Sequence, residues 1–211
     1  MMTKKRYQGP SNDRGRSTQK LIEAVGTVIK TKGYIGLSAT NIAKEAGLSR
    51  RLISFYFGTV DSLIETYVRS KDYWVAAPGN AGDLLKEKKQ SGTKDILEAM
   101  LINQLDFFST EEEMQKIVLW QISQSTRIMK EVCEERELLS THFFALSDKE
   151  LNGKDIDLRA VSALLVAGIY YLVLHARSTD TTFCEIDLNK KEGMERIKKA
   201  ISLILKNTYG N

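Results

Sequence analysis

The sequence contains few of the residues on which disulfide scaffolds and metal centres depend. Among 211 residues there are two cysteines, Cys133 and Cys184, and two histidines, His142 and His175. Two cysteines do not make a disulfide framework, and their separation from the histidines fits no zinc spacing. We therefore predict no metal site, and we expect a reducing cytoplasm as the compartment.

Long apolar runs are also scarce. The longest mainly apolar stretch, Val161 to Leu174, is interrupted by Ser162, Gly168 and two tyrosines. It is shorter than the roughly 20 residues that a bilayer requires. The N-terminus has basic residues but no apolar core behind them, so it does not have the pattern of a signal peptide. From these features we expect no membrane partner.

Motifs of common enzyme classes are missing as well. The sequence has no phosphate-binding glycine loop, no cluster with metal-ligand spacing and no nucleophile elbow. The glutamates at 111–113 have a sufficient explanation as a helix start, in which Thr110 and Glu113 form a capping box. We predict that the protein is not an enzyme, with no catalytic residue and no cofactor.

Basic charge, by contrast, is concentrated at one end of the chain. Residues 1–58 contain eleven Lys or Arg and three Asp or Glu, a net charge of +8. Residues 59–211 contain 20 basic and 24 acidic residues, a net charge of −4. Clustered basic charge is what neutralisation of nucleic-acid phosphates requires. The split indicates a nucleic-acid-binding region at the N-terminus; a basic tail beside an acidic domain is the alternative.

The segment Ser38 to Phe57 has the end signals of two short helices joined by a glycine turn. The Ser38 hydroxyl can accept a hydrogen bond from an amide of the first turn, and Gly47 can adopt the positive φ that commonly follows a helix end. Ser49 then begins the second helix. This arrangement is the outline of a DNA-reading helix-turn-helix.

The second of these helices has one face for packing and one for solvent. At about 100° per residue, Arg51 and Phe55 point away from Ile53. An outward arginine suits a major groove, where it can pair with the O6 and N7 acceptors of guanine, and apolar atoms can meet the thymine methyl. For the motif taken alone, a surface helical hairpin with merely solvated arginines is the alternative.

Together with the helix before it and the residues after it, this segment resembles the DNA-binding domain of the TetR family of transcriptional repressors. The most specific part is IAKEAGLS at 42–49, followed by Ile53, the pair Tyr56 and Phe57, and Leu63. The resemblance implies contacts to phosphates and bases from one set of residues. The predicted DNA-binding residues are Ser38, Thr40, Ser49, Arg50, Arg51, Leu52, Ser54, Phe55 and Tyr56.

The sequence departs from the family pattern at three positions. Where the family often has a small residue, then a tyrosine, then a lysine that opens the fourth helix, this chain has Arg51, Ser54 and Val60. Two usual phosphate contacts are therefore expected to be weakened and one arginine gained. The departures suggest a different operator, and they leave the family's roles open at these positions.

Helical periodicity continues through nearly the whole chain. A first helix is expected after Ser17 or Thr18, and a fourth after Thr59 that ends at Pro78 and Gly79. The sequence predicts an all-α fold, with an N-terminal three-helix helix-turn-helix DNA-binding domain joined to a C-terminal helical ligand-binding and dimerisation domain. The predicted boundaries are a basic flexible arm at 1–16, the DNA-binding domain at 17–58 and the effector-binding and dimerisation domain at 59–211.

Two late helices have apolar stripes, at about 158–177 and about 192–206. Taken alone, the first is a candidate buried core helix, which is the more common case. The resemblance implies instead a four-helix interface in a homodimer, which would space two recognition helices for a palindromic site. The predicted interface residues are Val161, Leu164, Leu165, Gly168, Ile169, Leu172, Ile197, Ile201, Ile204 and Leu205.

The resemblance also implies a small-molecule pocket in the middle helices, whose occupation moves the fourth helix. Pockets combine apolar walls with a few polar anchors. The candidates are Trp74, Phe107, Trp120, Gln124, His142, Phe143 and Tyr170. The predicted function is a homodimeric repressor that binds a palindromic double-stranded DNA operator and is released by an unknown effector. The alternative is an architectural or protein-regulated DNA-binding factor with no small-molecule switch and a closed core.

Overall fold

The computed structural model describes residues 10–76 and 92–210. Over these residues the chain is built from α-helices and contains no β-strand, apart from an isolated bridge between Phe183 and Ile186. It divides into two compact units, one ending at Arg69 and the other beginning at Ser70. The all-α fold class predicted from the sequence is confirmed.

The first unit contains the predicted three helices and most of a fourth. The elements are α1 (Pro10–Lys32), a short 3-10 turn (Tyr34–Gly36), α2 (Ala39–Ala46), α3 (Arg51–Phe57) and α4 (Val60–Lys71), which crosses the boundary. Helix α1 packs against α2. The apolar stripe of α1, which includes Leu21, Val25 and Val28, is fully buried. Because these side chains recur at helical spacing, one face of α1 supplies a core against which α2 packs.

Helix α1 begins earlier than the sequence suggested. It starts at Pro10 rather than after a cap at Ser17 or Thr18. Proline suits the first turn of a helix because its missing N–H has no intrahelical partner there, and Gly15 further along is tolerated at modest cost. Residues 10–16 are therefore helical, and the prediction of a flexible arm is wrong for them.

Helix α4 also ends earlier than predicted, at Lys71. Thr59 begins it as expected, since its hydroxyl oxygen accepts a hydrogen bond of 3.0 Å from the amide of Ser62. At the other end the carboxylate of Asp72 accepts a 3.0 Å bond from the amide of Trp74, which favours a turn over further helix. Trp74 thus lies in a turn, and the predicted stop at 78–79 lies outside the described residues.

The second unit is centred on one helix. Its elements are α5 (Thr93–Thr110), α6 (Glu112–Ser123), α7 (Arg127–Glu150), α8 (Leu158–Thr179) and α9 (Lys191–Tyr209). Helix α5 packs against each of the other four. Its buried residues include Ile96, Met100, Leu101 and Phe108, so α5 packs buried apolar side chains against several neighbouring helices. Burial on more than one side explains why α5 lacks a wide polar face.

The helix ends of the second unit differ from the sequence in one respect. The predicted capping box of Thr110 and Glu113 is wrong: the Thr110 hydroxyl donates to the carbonyl of Phe107 at 3.1 Å within α5. Glu111 takes the N-cap position of α6 without a side-chain cap bond. The break predicted at 152–153 is confirmed, with Gly153 at φ 82° in the turn between α7 and α8.

Helix α8 is longer than its central apolar run. By length and composition alone, Leu158–Thr179 is the one helix of the described residues apolar enough to cross a membrane, with a mean hydropathy of 1.7 over its most apolar window. The run Val161 to Leu174, which alone is too short to cross a bilayer, is therefore the centre of a longer apolar helix. The observation is weak evidence for a membrane, because core helices of soluble proteins pass the same test.

Candidate nucleic-acid interface and ligand cavity

The turn between α2 and α3 has the geometry that the sequence predicted. The Ser38 hydroxyl accepts a hydrogen bond of 3.2 Å from the amide of Asn41. Gly47 adopts φ 64° and ψ 31°, and the amide of Leu48 reaches back to the carbonyl of Ala43 at 2.9 Å. A left-handed residue at this position strains any side chain with a Cβ, so glycine permits the sharp turn that begins α3.

Helix α3 is anchored on one side and exposed on the other. Ile53 is 1% exposed, whereas Phe55 is 75% exposed. Arg51 and Ser54 are also exposed. The Ser49 hydroxyl accepts a 3.3 Å bond from the amide of Arg51 and so helps to begin the helix. This exposed face, which carries an arginine and an aromatic side chain on a short helix after a glycine turn, is our candidate nucleic-acid interface.

Two contacts place further polar groups around α3. The guanidinium of Arg50 donates to the hydroxyl of Thr40 at 3.1 Å, which ties the start of α3 to α2. The guanidinium carbon of Arg14 lies 6.0 Å from the centre of the Tyr56 ring. Arg14 was not among the predicted interface residues; its only sequence signal was the basic charge of the N-terminal region. It adds a cation beside Tyr56 from α1.

The nine predicted DNA-binding residues all lie in the first unit, and none is fully buried. Three of them, Ser38, Leu52 and Tyr56, are half-buried. The exposed ones are Thr40, Ser49, Arg50, Arg51, Ser54 and Phe55. Their arrangement on the start of α2 and along α3 permits contacts to one nucleic-acid surface.

A cavity of about 610 Å³ lies within the second unit. Its volume falls within the roughly 300–1,000 Å³ of small-molecule pockets. Side chains from α5 to α8 and from the turn after α4 form its walls. The apolar part is lined by Trp74, Leu97, Met100, Leu101, Leu139, Phe143, Phe144, Ala163 and Val166. No group of three His, Cys, Asp or Glu within residues 10–76 and 92–210 is arranged to hold a metal ion.

Three of the seven predicted ligand-binding residues line this cavity: Trp74, Phe143 and Tyr170. The indole nitrogen of Trp74 donates to the hydroxyl of Tyr170 at 3.0 Å. These residues come from the turn after α4, from α7 and from α8. The structure therefore brings together aromatic side chains that are up to 96 positions apart in the sequence.

The other four predicted ligand-binding residues do not line the cavity. Phe107 packs on a neighbouring tyrosine ring at 5.5 Å, and Trp120 is 6% exposed in α6. Gln124 follows the end of α6 and lines a separate depression of about 430 Å³. His142 is exposed on α7. Periodicity shows which side chains are on apolar helices but not which of two buried faces meets a cavity.

Three consecutive residues fasten the turn after α4 to three different helices. The Asp72 carboxylate pairs with Arg136 of α7, with a 2.9 Å bond from Nε. The Tyr73 hydroxyl donates to the carbonyl of Met100 in α5 at 3.0 Å, and Trp74 donates to Tyr170 of α8. The segment that follows α4 is therefore held by three residues that also line the cavity: Met100, Arg136 and Tyr170.

Burial and charge shift the pKa values of these groups. For Arg136, burial lowers the pKa, but the charge of Asp72 and its hydrogen bonds raise it by more, so the pKa of Arg136 lies above its ordinary value. Burial raises the pKa of the Tyr170 phenol, against the opposing charge of Arg136. At neutral pH the guanidinium is therefore charged, and the phenol is neutral. Neither Arg136 nor Asp72 was singled out from the sequence.

The predicted dimer-interface residues divide into two groups. Ile169, Ile201 and Leu205 are at most 2% exposed and belong to the core of their own chain. Their assignment to the interface is corrected, because side chains already buried have little surface left for a partner. Leu164 and Ile204 are 75% and 41% exposed. Half-buried residues make up the rest: Val161, Leu165, Gly168, Leu172 and Ile197.

No family model matches the chain. The HTH-type transcriptional regulator PksA from Bacillus subtilis (strain 168) is 44% identical over 52 residues. The matched segment is 25% of this chain and 25% of that protein, so the similarity spans a quarter of the curated relative's length.

Solved structures are similar over most of the chain. A TetR family transcription regulator from Marinobacter aquaeolei VT8 has a TM-score of 0.63 at 15% identity, covering 91% of this chain and 96% of that one. The chain has a TetR-like fold. A putative fatty acid metabolism regulator from Clostridium perfringens has the same fold, with a TM-score of 0.66, 14% identity and coverage of 90% and 97%.

The transcriptional regulator FadR from Bacillus subtilis, solved in complex with stearoyl-CoA, is a further structure with the TetR-like fold. Its TM-score is 0.62 at 14% identity, covering 89% of this chain and 96% of that one. The resemblance inferred from the motif at 38–57 is thus confirmed at the level of the fold. Identities this low do not transfer an operator or a ligand.

Proposed function

We propose that the chain is a transcriptional regulator of the cytoplasm, a homodimeric repressor that binds a palindromic DNA operator and is released by a small-molecule effector. The observation that carries the proposal is the geometry of α3. Ile53 anchors the helix, and the opposite face exposes Arg51, Ser54 and Phe55. A short helix held in this way, after a glycine turn, can enter a major groove.

The exposed groups on α3 offer both kinds of base contact. The Arg51 guanidinium can donate two bonds to a guanine edge, worth about 1–3 kcal/mol of discrimination, and the Phe55 ring can meet a thymine methyl. Groups around the helix suit phosphates: Arg50 beside Thr40, and Arg14 beside Tyr56. Phosphate contacts position the protein, and base contacts select the sequence.

Dimerisation is supported by apolar surface on the last two helices. Leu164 and Tyr171 of α8 are 75% and 53% exposed, and Leu203 of α9 is 58% exposed. Only 22% of the most apolar window of α8 is buried within its own chain. A second copy that covers this surface would remove it from water, and two-fold symmetry matches a palindromic operator whose half-sites lie about 34–36 Å apart.

Control by an effector is supported by the cavity. The alternative function, a DNA-binding factor without a small-molecule switch, predicts a closed core in the second unit, whereas a cavity of about 610 Å³ is present there. The turn after α4 lines this cavity through Trp74. An occupant can therefore act on α4, which is continuous with that turn.

A footprint and a binding titration on the intergenic DNA upstream of the chain's own gene test the proposal. We expect a protected palindrome at moderate salt and its release by an effector. In Arg51→Ala the preference for the operator over random DNA should fall. In the matched variant Arg50→Ala binding to both DNAs should weaken alike, and the salt slope should fall by about one. No protected palindrome would refute the repressor, and equal losses in Arg51→Ala would refute base reading.

A further inference from the structure

The ion pair at the end of the cavity leaves part of a buried guanidinium available. Asp72 is 0% exposed and the Arg136 side chain is 12% exposed. Nε and Nη2 of Arg136 both donate to the Asp72 carboxylate. Nη1 donates to the side-chain oxygen of Gln121 at 2.6 Å. These three bonds orient the guanidinium and fix the side-chain oxygen of Gln121 as an acceptor.

A guanidinium has five N–H donors. Three of the five N–H donors of Arg136 have acceptors within the described residues, which leaves one N–H on Nη1 and one on Nη2. Gln121 adds the NH₂ group of an amide whose oxygen is already used. Both residues line the cavity. An occupant that displaces water from these N–H donors must supply an acceptor in its place, because donors left without acceptors in an apolar site are costly.

Three other hydroxyls of the lining do not compete for that role. The hydroxyls of Ser140 and Thr141 donate to the carbonyl of Glu137 at 2.7 and 3.0 Å. The Ser162 hydroxyl donates to the carbonyl of Leu158 at 2.7 Å. Each of these hydroxyls donates within its own helix. The Tyr170 hydroxyl accepts from Trp74 and keeps one O–H donor, so Arg136 and Gln121, with four remaining N–H groups, form the main donor group.

Charge decides between an anionic and an uncharged acceptor. The carboxylate of Asp72 already neutralises Arg136. The other lining guanidinium, Arg159, is bound at both terminal nitrogens by Asp148 at 2.8 Å, and Glu137 adds a negative charge to the lining. An anionic group placed at Arg136 would either remain uncompensated or displace Asp72, which would leave a fully buried carboxylate without its partner. Both are unfavourable in an apolar site.

We propose that Arg136 and Gln121 bind the carbonyl oxygen of an uncharged, mainly apolar effector, such as an ester, thioester or amide of a hydrocarbon chain. The aromatic and aliphatic walls bind the hydrocarbon, and the two remaining N–H groups of Arg136 select a neutral oxygen acceptor. This assignment rests on the proposed function, because it names the ligand class of the same cavity.

Two probes that differ in charge test the assignment on the full chain without DNA. Trp74 lines the cavity, and a Trp120→Phe variant leaves it as the single tryptophan, so its fluorescence reports binding. At pH 8 we expect methyl decanoate to bind about tenfold more tightly than decanoate. Equal or tighter binding of decanoate would overturn the proposal, and so would the absence of binding by both probes.

Variants in that background test the donors. Arg136→Lys keeps a positive charge beside Asp72 but reduces five donors to three, and it should weaken methyl decanoate about tenfold. Arg127→Lys, the same exchange at an exposed position of α7 outside the cavity lining, should change binding by no more than about twofold. If Arg136→Lys destabilises the fold, the uncharged pair Asp72→Asn with Arg136→Gln replaces it, with the same expected loss. Unchanged ester binding in both variants would refute the role of Arg136.

The two proposals fail in different ways. If the ester binds through Arg136 but operator binding is unaffected, the ligand assignment stands and release by this class of effector is refuted. If the operator is bound and neither probe binds, the DNA-binding function stands and the ligand assignment is refuted.

Discussion

Removal of the Arg136 charge is the most informative perturbation of the second unit. In Arg136→Gln the Asp72 carboxylate, which is 0% exposed, loses the guanidinium that neutralises it. Breaking a buried pair at one partner costs about 3–5 kcal/mol, since the remaining charge is left uncompensated. At about 2–4 °C per kcal/mol for a chain of this size, the melting temperature should fall by about 6–20 °C.

Replacing both partners should cost far less. In the double variant Asp72→Asn with Arg136→Gln no buried charge remains, and two amides can still hydrogen-bond across the gap. We expect it to unfold within about 2 kcal/mol of the original chain, so the two single changes are strongly non-additive. Urea unfolding followed by circular dichroism measures the cycle, at one protein concentration because the proposed dimerisation would shift the apparent stability.

The result that would refute this reasoning is additivity. If the double variant loses the sum of the two single losses, the pair does not act as a neutralising unit. A loss below about 1 kcal/mol in Arg136→Gln would show that water reaches Asp72 and that the site is not the low-dielectric environment on which the ligand assignment depends.

Three further outcomes follow from other parts of the chain. Gly47→Ala should lower the free energy of unfolding by about 1–2 kcal/mol because Gly47 has φ 64°. Gly15→Ala, inside α1 with open space around an added Cβ, should raise the free energy of unfolding by about 0.5–1 kcal/mol. Urea titrations compare the two variants. Leu164→Glu places a charge at a position of α8 that is 75% exposed. It should shift the mass measured by light scattering from that of a dimer to that of a monomer, with an unchanged helical circular dichroism spectrum. A variant that is still dimeric at low micromolar concentration would show that this surface is not the dimer interface. The hydrogen bond from Arg159 lowers the pKa of Asp148, so the stability that this pair adds is present at neutral pH and is lost as the pH falls through the lowered pKa. Asp148→Asn should remove that part of the pH dependence of stability. An ordinary pKa for Asp148, measured by NMR, would contradict this prediction.

The helix-turn-helix of the first unit could be predicted because its sequence signals are local. The Ser38 hydroxyl caps α2, and Gly47, which has no Cβ, adopts the positive φ of the turn. Ile53 is buried while Phe55 is exposed, as the helical period requires. The extent of α1 and α4 was less predictable. Pro10 is compatible with a helix start but does not require one. Asp72 ends α4 by accepting a bond from the amide of Trp74, and its carboxylate is held by Arg136, 64 positions away in the sequence.

The cavity shows the limit of sequence patterns. Three of its residues were predicted from their aromatic side chains, but four other candidates with similar neighbours lie elsewhere. Apolar periodicity identifies a buried face without saying what it is buried against. For the same reason Ile169, Ile201 and Leu205 looked like an interface, although they are part of the core around α5.

The sequence by itself determined the helical class, the capped turn between two short helices and the concentration of basic charge around it, since each depends on residues within a few turns of one another. Tertiary structure alone decided which side chains form the cavity and how the turn after α4 is held. Asp72 and Arg136 are 64 positions apart, and only the packing of α7 beside that turn gives them a shared environment without water. In the sequence the two residues have the pattern of ordinary surface charges, whereas in the fold they form a buried ion pair.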